Sequence, residues 1–344
     1  MKTAIVGCGH IAEKHIKALR SIPNVDVVAV VDKNEKLSAD FARRHVVAFG
    51  GVNVKQMLQA TAPDVVHILT PPRTHYLLAA AVLDAGCHAL VEKPLTVSVK
   101  DSEELAKMEE ASSGTISVCH NFLYVPAFRR ALKLIHSGAI GEVESSEVYW
   151  RVSAGGPSKR YQDIDWVTDL PGGIYSEVGA HPLYLLGAVL GQLEVTGADV
   201  LGEPNQGFVG AKQLRVLLRS TSGLGAVTIS TSAMPIEKHI RISGSKMSLL
   251  VDLGTNTLIT RRALGFSIPG RTILNLEYAL QLAVKTTSNI VLTLIGKMPR
   301  SHVIFMREYY ARLAAGLPPE VTLADGLDTV RLLDAIWSRL SRTE

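Results

Sequence analysis

The sequence predicts an α/β protein of two domains: a doubly wound parallel sheet first, then an α+β domain with a mostly antiparallel open sheet. Three observations point there. Residues 1–120 alternate short runs rich in Val and Ile with amphipathic stretches, the order of parallel βαβ units. A glycine loop from Gly7 to Ala12 joins the first such run to the first amphipathic stretch. Residues 141–150 and 213–260 read as β segments that follow one another through turns. A chain of 344 residues also exceeds one ordinary core, at ~150 residues per domain.

In chain order, strands are expected over residues 3–6, 27–31, 46–49, 65–69, 88–91 and 115–119. They are short and largely lack period-two alternation, as strands covered by helices on both faces do. Helices are expected over 11–20, 35–44, 54–60, 74–85 and 98–111, the last with Ser98 as N-cap and Asp101 in its first turn. A helix over 126–137 opens on Pro126 and stops at Gly138. Turn signals at Thr221, Ser222 and Gly223, and at Ser243, Gly244 and Ser245, divide the later β region. Helical spacing of Leu327, Val330, Leu333, Trp337 and Leu340 marks a final helix over 325–340. The expected division is 1–121 and 122–344, with the last helix returning towards the first domain and 261–300 as an insertion.

Composition narrows the function. With 47% hydrophobic and 20% charged residues the chain is far from disordered compositions. A net charge of +4 lacks the clustered excess of a nucleic-acid binder, so no nucleic-acid partner is expected. Cys8, Cys87 and Cys119 form no CxxC pair, which supports neither a disulfide framework nor a zinc site and suits a cytoplasmic setting. The first residues turn to glycine after three apolar positions, without the apolar core of a signal peptide, and no uncharged apolar run of membrane-spanning length appears.

The glycine loop, Gly7, Cys8, Gly9, His10, Ile11 and Ala12, is a GxGxxA match that follows a strand and opens a helix. The first Gly permits the turn, the second lets a diphosphate approach the backbone, and Ala12 allows close packing of helix on strand. Asp32 ends the second strand 20 residues after Ala12, where a carboxylate binds ribose hydroxyls, so the first domain reads as a Rossmann domain. An ionised carboxylate would repel a 2′-phosphate, which favours NAD over NADP. Thr70, Pro71 and His75 follow the fourth strand, Glu92, Lys93 and Pro94 the fifth, and Asn121 the sixth, all at the carboxyl edge where such sheets bind ligands.

With these motifs the chain resembles the glucose-fructose oxidoreductase and inositol dehydrogenase family, written Gfo/Idh/MocA. The likeness continues through Pro126 to Val143, through Gly172, Gly173, Glu177 and His181, and through Pro318, Pro319, Asp325 and Gly326. It implies an NAD-dependent oxidoreductase whose second domain often serves oligomerisation, hence a dimer or tetramer. It also implies that Lys93 lies near the nicotinamide and the substrate hydroxyl and that His181 accepts the proton. The chain departs from the pattern at two places. Glu177 stands where the family usually has Asp, and Phe122 or Leu123 stands where an Arg is often found before Pro126.

The residues suit that chemistry on their own terms. Glu177 and His181, four apart on a helix, share a face, so the carboxylate can orient the imidazole or hold a hydroxyl beside it. Histidine titrates near neutrality and can take a proton from an alcohol as hydride leaves. Lys93 can stabilise developing alkoxide charge. Arg160, Tyr161, Asp163, Asp165 and Trp166, within 151–169, give the mixed polar and aromatic surface that polyhydroxylated ligands need. The expected substrate is a carbohydrate: a sugar, cyclitol or nucleotide sugar. A sugar–sugar oxidoreductase with tightly held cofactor and a non-catalytic NAD-binding regulator are the alternatives.

One segment stands outside the likeness. Residues 261–300 carry six basic residues against Glu277 alone, a net +5, which leaves the rest of the chain at −1. Within them 275–297 reads as an amphipathic helix, with Leu276, Leu280, Val284, Val291 and Leu294 on one stripe and Glu277, Gln281 and Lys285 on the other. It is expected to cover the sheet or a subunit contact; the other reading is a peripheral contact with an anionic membrane.

Overall fold

The computed structural model describes residues 1–152, 165–202, 210–262 and 268–341. The chain forms two compact units, one of Met1–Asn121 with His302–Arg331, the other of Phe122–Ser301 with Leu332–Glu344.

The first unit is built on β1 (Lys2–Val6), β2 (Asp26–Val31), β3 (Phe49–Gly51), β4 (Val65–Ile68), β5 (His88–Val91) and β6 (Ile116–Val118). Its helices are α1 (His10–Leu19), α2 (Glu35–Arg44), α3 (Val54–Thr61), α4 (His75–Asp84) and α5 (Val99–Glu110). All six strands are parallel, in the order β3-β2-β1-β4-β5-β6. Their apolar runs are covered on both faces: Ile5, Val30, Val66 and Leu90 are fully buried. Strand order reverses between β1 and β4, which opens a crevice at their carboxyl ends. Helix starts are set by side chains: Asn34, Asn53 and Ser98 accept from the amides of Leu37, Gln56 and Asp101 at 3.0 to 3.1 Å.

One expected strand is displaced. The β-branched pair Val46 and Val47 belongs to the turn that ends α2, where the Val47 amide donates to Ala42 O; Val46 has φ +47° and is 90% exposed. The strand begins only at Phe49. Satisfying the helix's last carbonyls outweighs the β preference of two valines.

The second unit contains α6 (Pro126–His136), β7 (Val143–Arg151), α7 (Asp165–Thr168), α8 (Ile174–Leu190), β8 (Glu194–Leu201), β9 (Gln213–Arg219), β10 (Leu224–Ser230), β11 (Lys238–Gly244), β12 (Met247–Asp252), β13 (Thr257–Arg262) and α9 (Ile268–Leu294). The sheet runs β13-β12-β11-β7-β10-β9-β8; β7 and β10 pair parallel and the other neighbours antiparallel. Burial alternates along β7 and β9, so one face is core and the other open. The buried face receives α8 and α6. Strand β8 escapes a sequence reading because a register shift between Val195 and Gly197 breaks its alternation.

Helix α9 begins before residue 275 and departs from expectation in orientation. Its polar residues, not its apolar stripe, lie against β13. The chain closes with α10 (Ser301–Ala314) and α11 (Leu323–Leu340). Thr322 and Asp325 cap α11 reciprocally, with Thr322 N donating to Asp325 Oδ2 at 2.7 Å and Asp325 N to Thr322 Oγ1 at 3.4 Å. No helix among the described residues is long and apolar enough to cross a membrane.

Candidate active site

The first unit's site starts at the glycine loop. Gly7 has φ +97°, and a Cβ there would lie 2.8 Å from the carbonyl carbon of Leu69, so only glycine fits. Gly9 differs: a Cβ there would meet nothing within 4 Å. Bare backbone over open space at the start of α1 is the cradle a diphosphate needs, with the helix dipole directed at it. Asp32 is held alongside, its Oδ2 accepting from Cys8 N at 2.8 Å and its Oδ1 from Asn34 N at 2.9 Å. That carboxylate can take ribose hydroxyls, so the residues fit NAD.

The carboxyl ends of β4 and β5 carry the next groups. His75 is fully buried, with Nε2 2.8 Å from Thr70 O and Nδ1 3.0 Å from Pro94 O, and it ties the turn at Thr70 and Pro71 to the turn after β5. Burial lowers its pKa, against the raising effect of those carbonyls. Lys93 follows Glu92, is 9% exposed, and is joined to Pro94 by a cis peptide bond. Asn121 is also buried, with Nδ2 3.4 Å from His302 Nδ1.

Beneath Lys93 lies a buried chain of hydrogen bonds. Thr3 Oγ1 is 2.8 Å from Tyr310 Oη, Tyr310 Oη 2.8 Å from His67 Nε2, His67 Nδ1 2.9 Å from His15 Nδ1, and His15 Nε2 3.2 Å from Glu92 Oε1. One proton arrangement satisfies every member: Thr3 donates to Tyr310, Tyr310 to His67, His67 to His15, and His15 to an ionised Glu92. Burial would raise the Glu92 pKa; the hydrogen bond from His15 and the charge of Lys93 outweigh it and hold the carboxyl at about 2. Burial pushes His67 well down, consistent with a neutral ring. His15, Glu92 and Cys119 place donor atoms within 4.8 Å of one another, a grouping this network accounts for. Burial, reinforced by Glu92, keeps the Cys119 thiol protonated.

In the second unit, α8 carries Glu177 and His181 one turn apart on a partly exposed face. The helix opens after Gly172, where φ is +75° and a Cβ would stand 2.4 Å from the Trp337 ring. His181 Nδ1 lies 2.8 Å from Tyr184 Oη, which also accepts from Phe122 N at 3.2 Å. The imidazole stacks on Trp150, with centroids 5.2 Å apart and planes at 22°, and meets the Phe122 ring edge-on at 4.8 Å. Lys238 Nζ lies 4.8 Å from the Trp150 ring centroid and 5.3 Å from that of Phe122.

Tyr184, Trp150 and Lys238 were not anticipated. Tyr184 was findable, three residues beyond His181 on the same helix. Trp150 and Lys238 are far apart in sequence and meet because β7 and β11 pair with Lys238 opposite Trp150. Arg160, Tyr161 and Asp163 lie outside the described residues.

Comparisons with known proteins agree with this fold. Residues 1–120 match the model of an oxidoreductase family with an NAD-binding Rossmann fold, and residues 128–250 that of the GFO/IDH/MocA C-terminal domain. Oxidoreductase P35 of Formosa agariphila is 28% identical over 195 residues, 55% of this chain and 60% of that protein. The dTDP-3,4-didehydro-2,6-dideoxy-alpha-D-glucose 3-reductase of Streptomyces violaceoruber is 28% identical over 258 residues, 73% of this chain and 72% of its own. The match to the first two curated relatives thus spans 60% and 62% of their length. Among solved structures, levoglucosan dehydrogenase with NADH and levoglucosan superposes with a TM-score of 0.81 at 18% identity, covering 99% of this chain and 97% of that one. The WlbA dehydrogenase of Bordetella pertussis with NADH and UDP-GlcNAcA gives 0.80 at 19% identity, covering 100% and 96%.

Proposed function

This chain belongs to the Gfo/Idh/MocA oxidoreductase family, and from that premise we propose that it moves a hydride between NAD and a secondary hydroxyl or ketone of a sugar, cyclitol or nucleotide sugar. The observation that carries the reading is the setting of His181. With Nδ1–H donated to Tyr184 Oη, the ring presents Nε2 as the proton acceptor, and stacking on Trp150 fixes its plane. NAD, when bound, supplies the hydride acceptor at nicotinamide C4. The chain's own residues do the rest: Gly7, Gly9 and the start of α1 hold the diphosphate, and Asp32 takes the ribose hydroxyls. Ile11 and His10, at the first turn of α1, and Thr70 and Pro71, after β4, border the same crevice.

His181 Nε2 takes the hydroxyl proton in oxidation and returns it in reduction, Lys93 stabilises the alkoxide charge, and Glu177 orients the imidazole or holds a neighbouring hydroxyl. His75 and Asn121 support the turns. Lys238, on the aromatic wall of His181, favours a substrate with an anionic group, as a nucleotide sugar has. The open face of the second sheet, with Leu201, Leu217 and Leu224 58 to 63% exposed, suits the homo-oligomer contact.

An absorbance screen at the nicotinamide band tests the assignment, with NAD and NADP set against neutral sugars, inositols and nucleotide sugars. Turnover with NAD and a nucleotide sugar is expected. A silent screen by protein that binds NADH would overturn it in favour of a regulator.

A further inference from the structure

The polar residues beneath Lys93 form a stripe across one face of the first sheet. Register sets Ile5 beside His67, His67 beside Leu90, and Leu90 beside Ser117. The ladder runs on past the strand ends, with Glu92 N donating to Ile68 O and Cys119 N to Val91 O. Side chains two residues apart share a face, so Thr3, His67, Glu92 and Cys119 stand on one side, where α1 brings His15 and α10 brings Tyr310. Thr3, His15, His67, Cys119 and Tyr310 are buried. Apolar residues of similar volume commonly replace a buried polar network without loss of stability, so packing alone does not call for this stripe. Its end is what sets it apart. The Glu92 carboxylate takes donors from three elements: His15 Nε2 of α1 on Oε1 at 3.2 Å, the Lys93 amide after β5 on Oε2 at 3.2 Å, and the Cys119 thiol after β6.

His15 stands in the second turn of α1, the helix whose first turn borders the diphosphate cradle. We propose, on the role given to Lys93 above, that His15 is a positioning residue: through the Glu92 carboxylate it fixes Lys93 relative to the helix that holds the cofactor. Imidazole suits the task because its two nitrogens work in opposite directions. Nε2 donates to Glu92 while Nδ1 accepts from His67, so the ring cannot swing without breaking both bonds. A leucine would fill the space but leave a buried carboxylate short of a donor, free to turn and to take the Lys93 amide with it. Misplacement of a reacting group by an ångström is enough to cost about 10²-fold in rate. The far members differ in kind. Tyr310 and Thr3 hold His67, and their loss leaves the bond from His15 to Glu92 in place.

Steady-state NADH formation with the nucleotide sugar selected by the absorbance screen tests this, with melting temperatures recorded in parallel. His15→Leu is expected to lower kcat about 10- to 100-fold, the scale of losing a partner that orients a reacting group, while KM and NADH affinity stay within about twofold. His15→Gln, whose amide can donate where Nε2 stood, restores kcat to within about fivefold of wild type, although it no longer accepts from His67 and melts earlier. Tyr310→Phe also melts earlier, because His67 loses its donor, yet keeps kcat within about twofold. Lys93→Met joined to His15→Leu falls no further than Lys93→Met alone, since one acts through the other. Long-range proton–nitrogen spectra of the resting protein show Nε2–H on His15 and Nδ1–H on His67. Wild-type kcat in His15→Leu overturns the proposal, as does a kcat that merely follows melting temperature through the three variants. Additive losses in the double variant, or a His15 that carries its proton on Nδ1, overturn it too. Should Lys93→Met itself keep wild-type kcat, the role of Lys93 falls, and that of His15 with it.

Discussion

The surroundings of Lys93 and of His181 are built from opposite materials. Lys93 sits over a chain of buried hydrogen bonds that ends on an ionised carboxylate, whereas His181 stands against aromatic rings with one hydroxyl fixing its tautomer. A hydrogen-bonded network with a buried charge is exact in geometry but depends on protonation. An aromatic wall has no titrating group of its own and sets a plane through packing. The contrast matches the proposed jobs. A group that must stay cationic gains from a fixed anion beside it, and a group that must exchange a proton gains from surroundings that do not compete for it.

The sharpest way to break that division is His181→Ala. Turnover is expected to fall about 10²- to 10⁴-fold, the usual worth of a positioned acid–base group, with NADH affinity unchanged. Unchanged turnover would remove His181 from the mechanism. Lys93→Met comes next, with a loss of about 10²- to 10³-fold in kcat, the scale of removing one donor to a developing oxyanion. Retention of wild-type kcat would reduce Lys93 to a strand end.

Acid distinguishes the two surroundings without mutation. Glu92 has a folded pKa of about 2 against an ordinary 4.5, so the unfolded chain binds its proton more readily. The stability it gives is complete above about pH 4.5 and is lost as pH falls towards 2, at up to ~1.4 kcal/mol per pH unit. Burial holds His120 at about 4 against 6.5, so neutral His120 also loses stability as pH falls from 6.5 to 4. Amide exchange followed down the acid range is therefore expected to quicken first in β1, β4 and β5. Simultaneous loss in β7 and β10 would contradict the assignment of acid sensitivity to the first unit. A smaller effect is expected of Tyr184→Phe, which keeps the ring but frees Nδ1. The acid limb of the kcat/KM profile shifts and turnover falls about tenfold; an unmoved profile would leave Tyr184 a packing residue.

The same contrast decides what the sequence made legible. Gly7, Gly9, Asp32 and Lys93 are readable because backbone clearance and charge at a strand end impose residue types at fixed spacing. Strands of the first unit were legible for a related reason, since burial on both faces demands unbroken apolar runs. The wall around His181 was not, because any large ring serves it and because Trp150 and Lys238 become neighbours only through strand register. Misplacement of the third strand shows a local preference overruled, with Val46 and Val47 spent on ending a helix. The orientation of α9 shows the limit of periodicity. It locates an apolar stripe but does not say which side meets the sheet.

The central claim is that the dinucleotide lies on the glycine loop of the first unit while proton transfer belongs to His181 in the second. Fluorescence titration of NADH against wild type, Gly9→Val and His181→Ala tests it most directly. Open space around Gly9 lets the valine fold without strain, yet the side chain fills the cradle. The expected result is an NADH affinity at least about tenfold weaker for Gly9→Val at unaltered thermal stability, with His181→Ala binding as the wild type does. Wild-type affinity in Gly9→Val, or affinity lost in His181→Ala alone, would contradict the account.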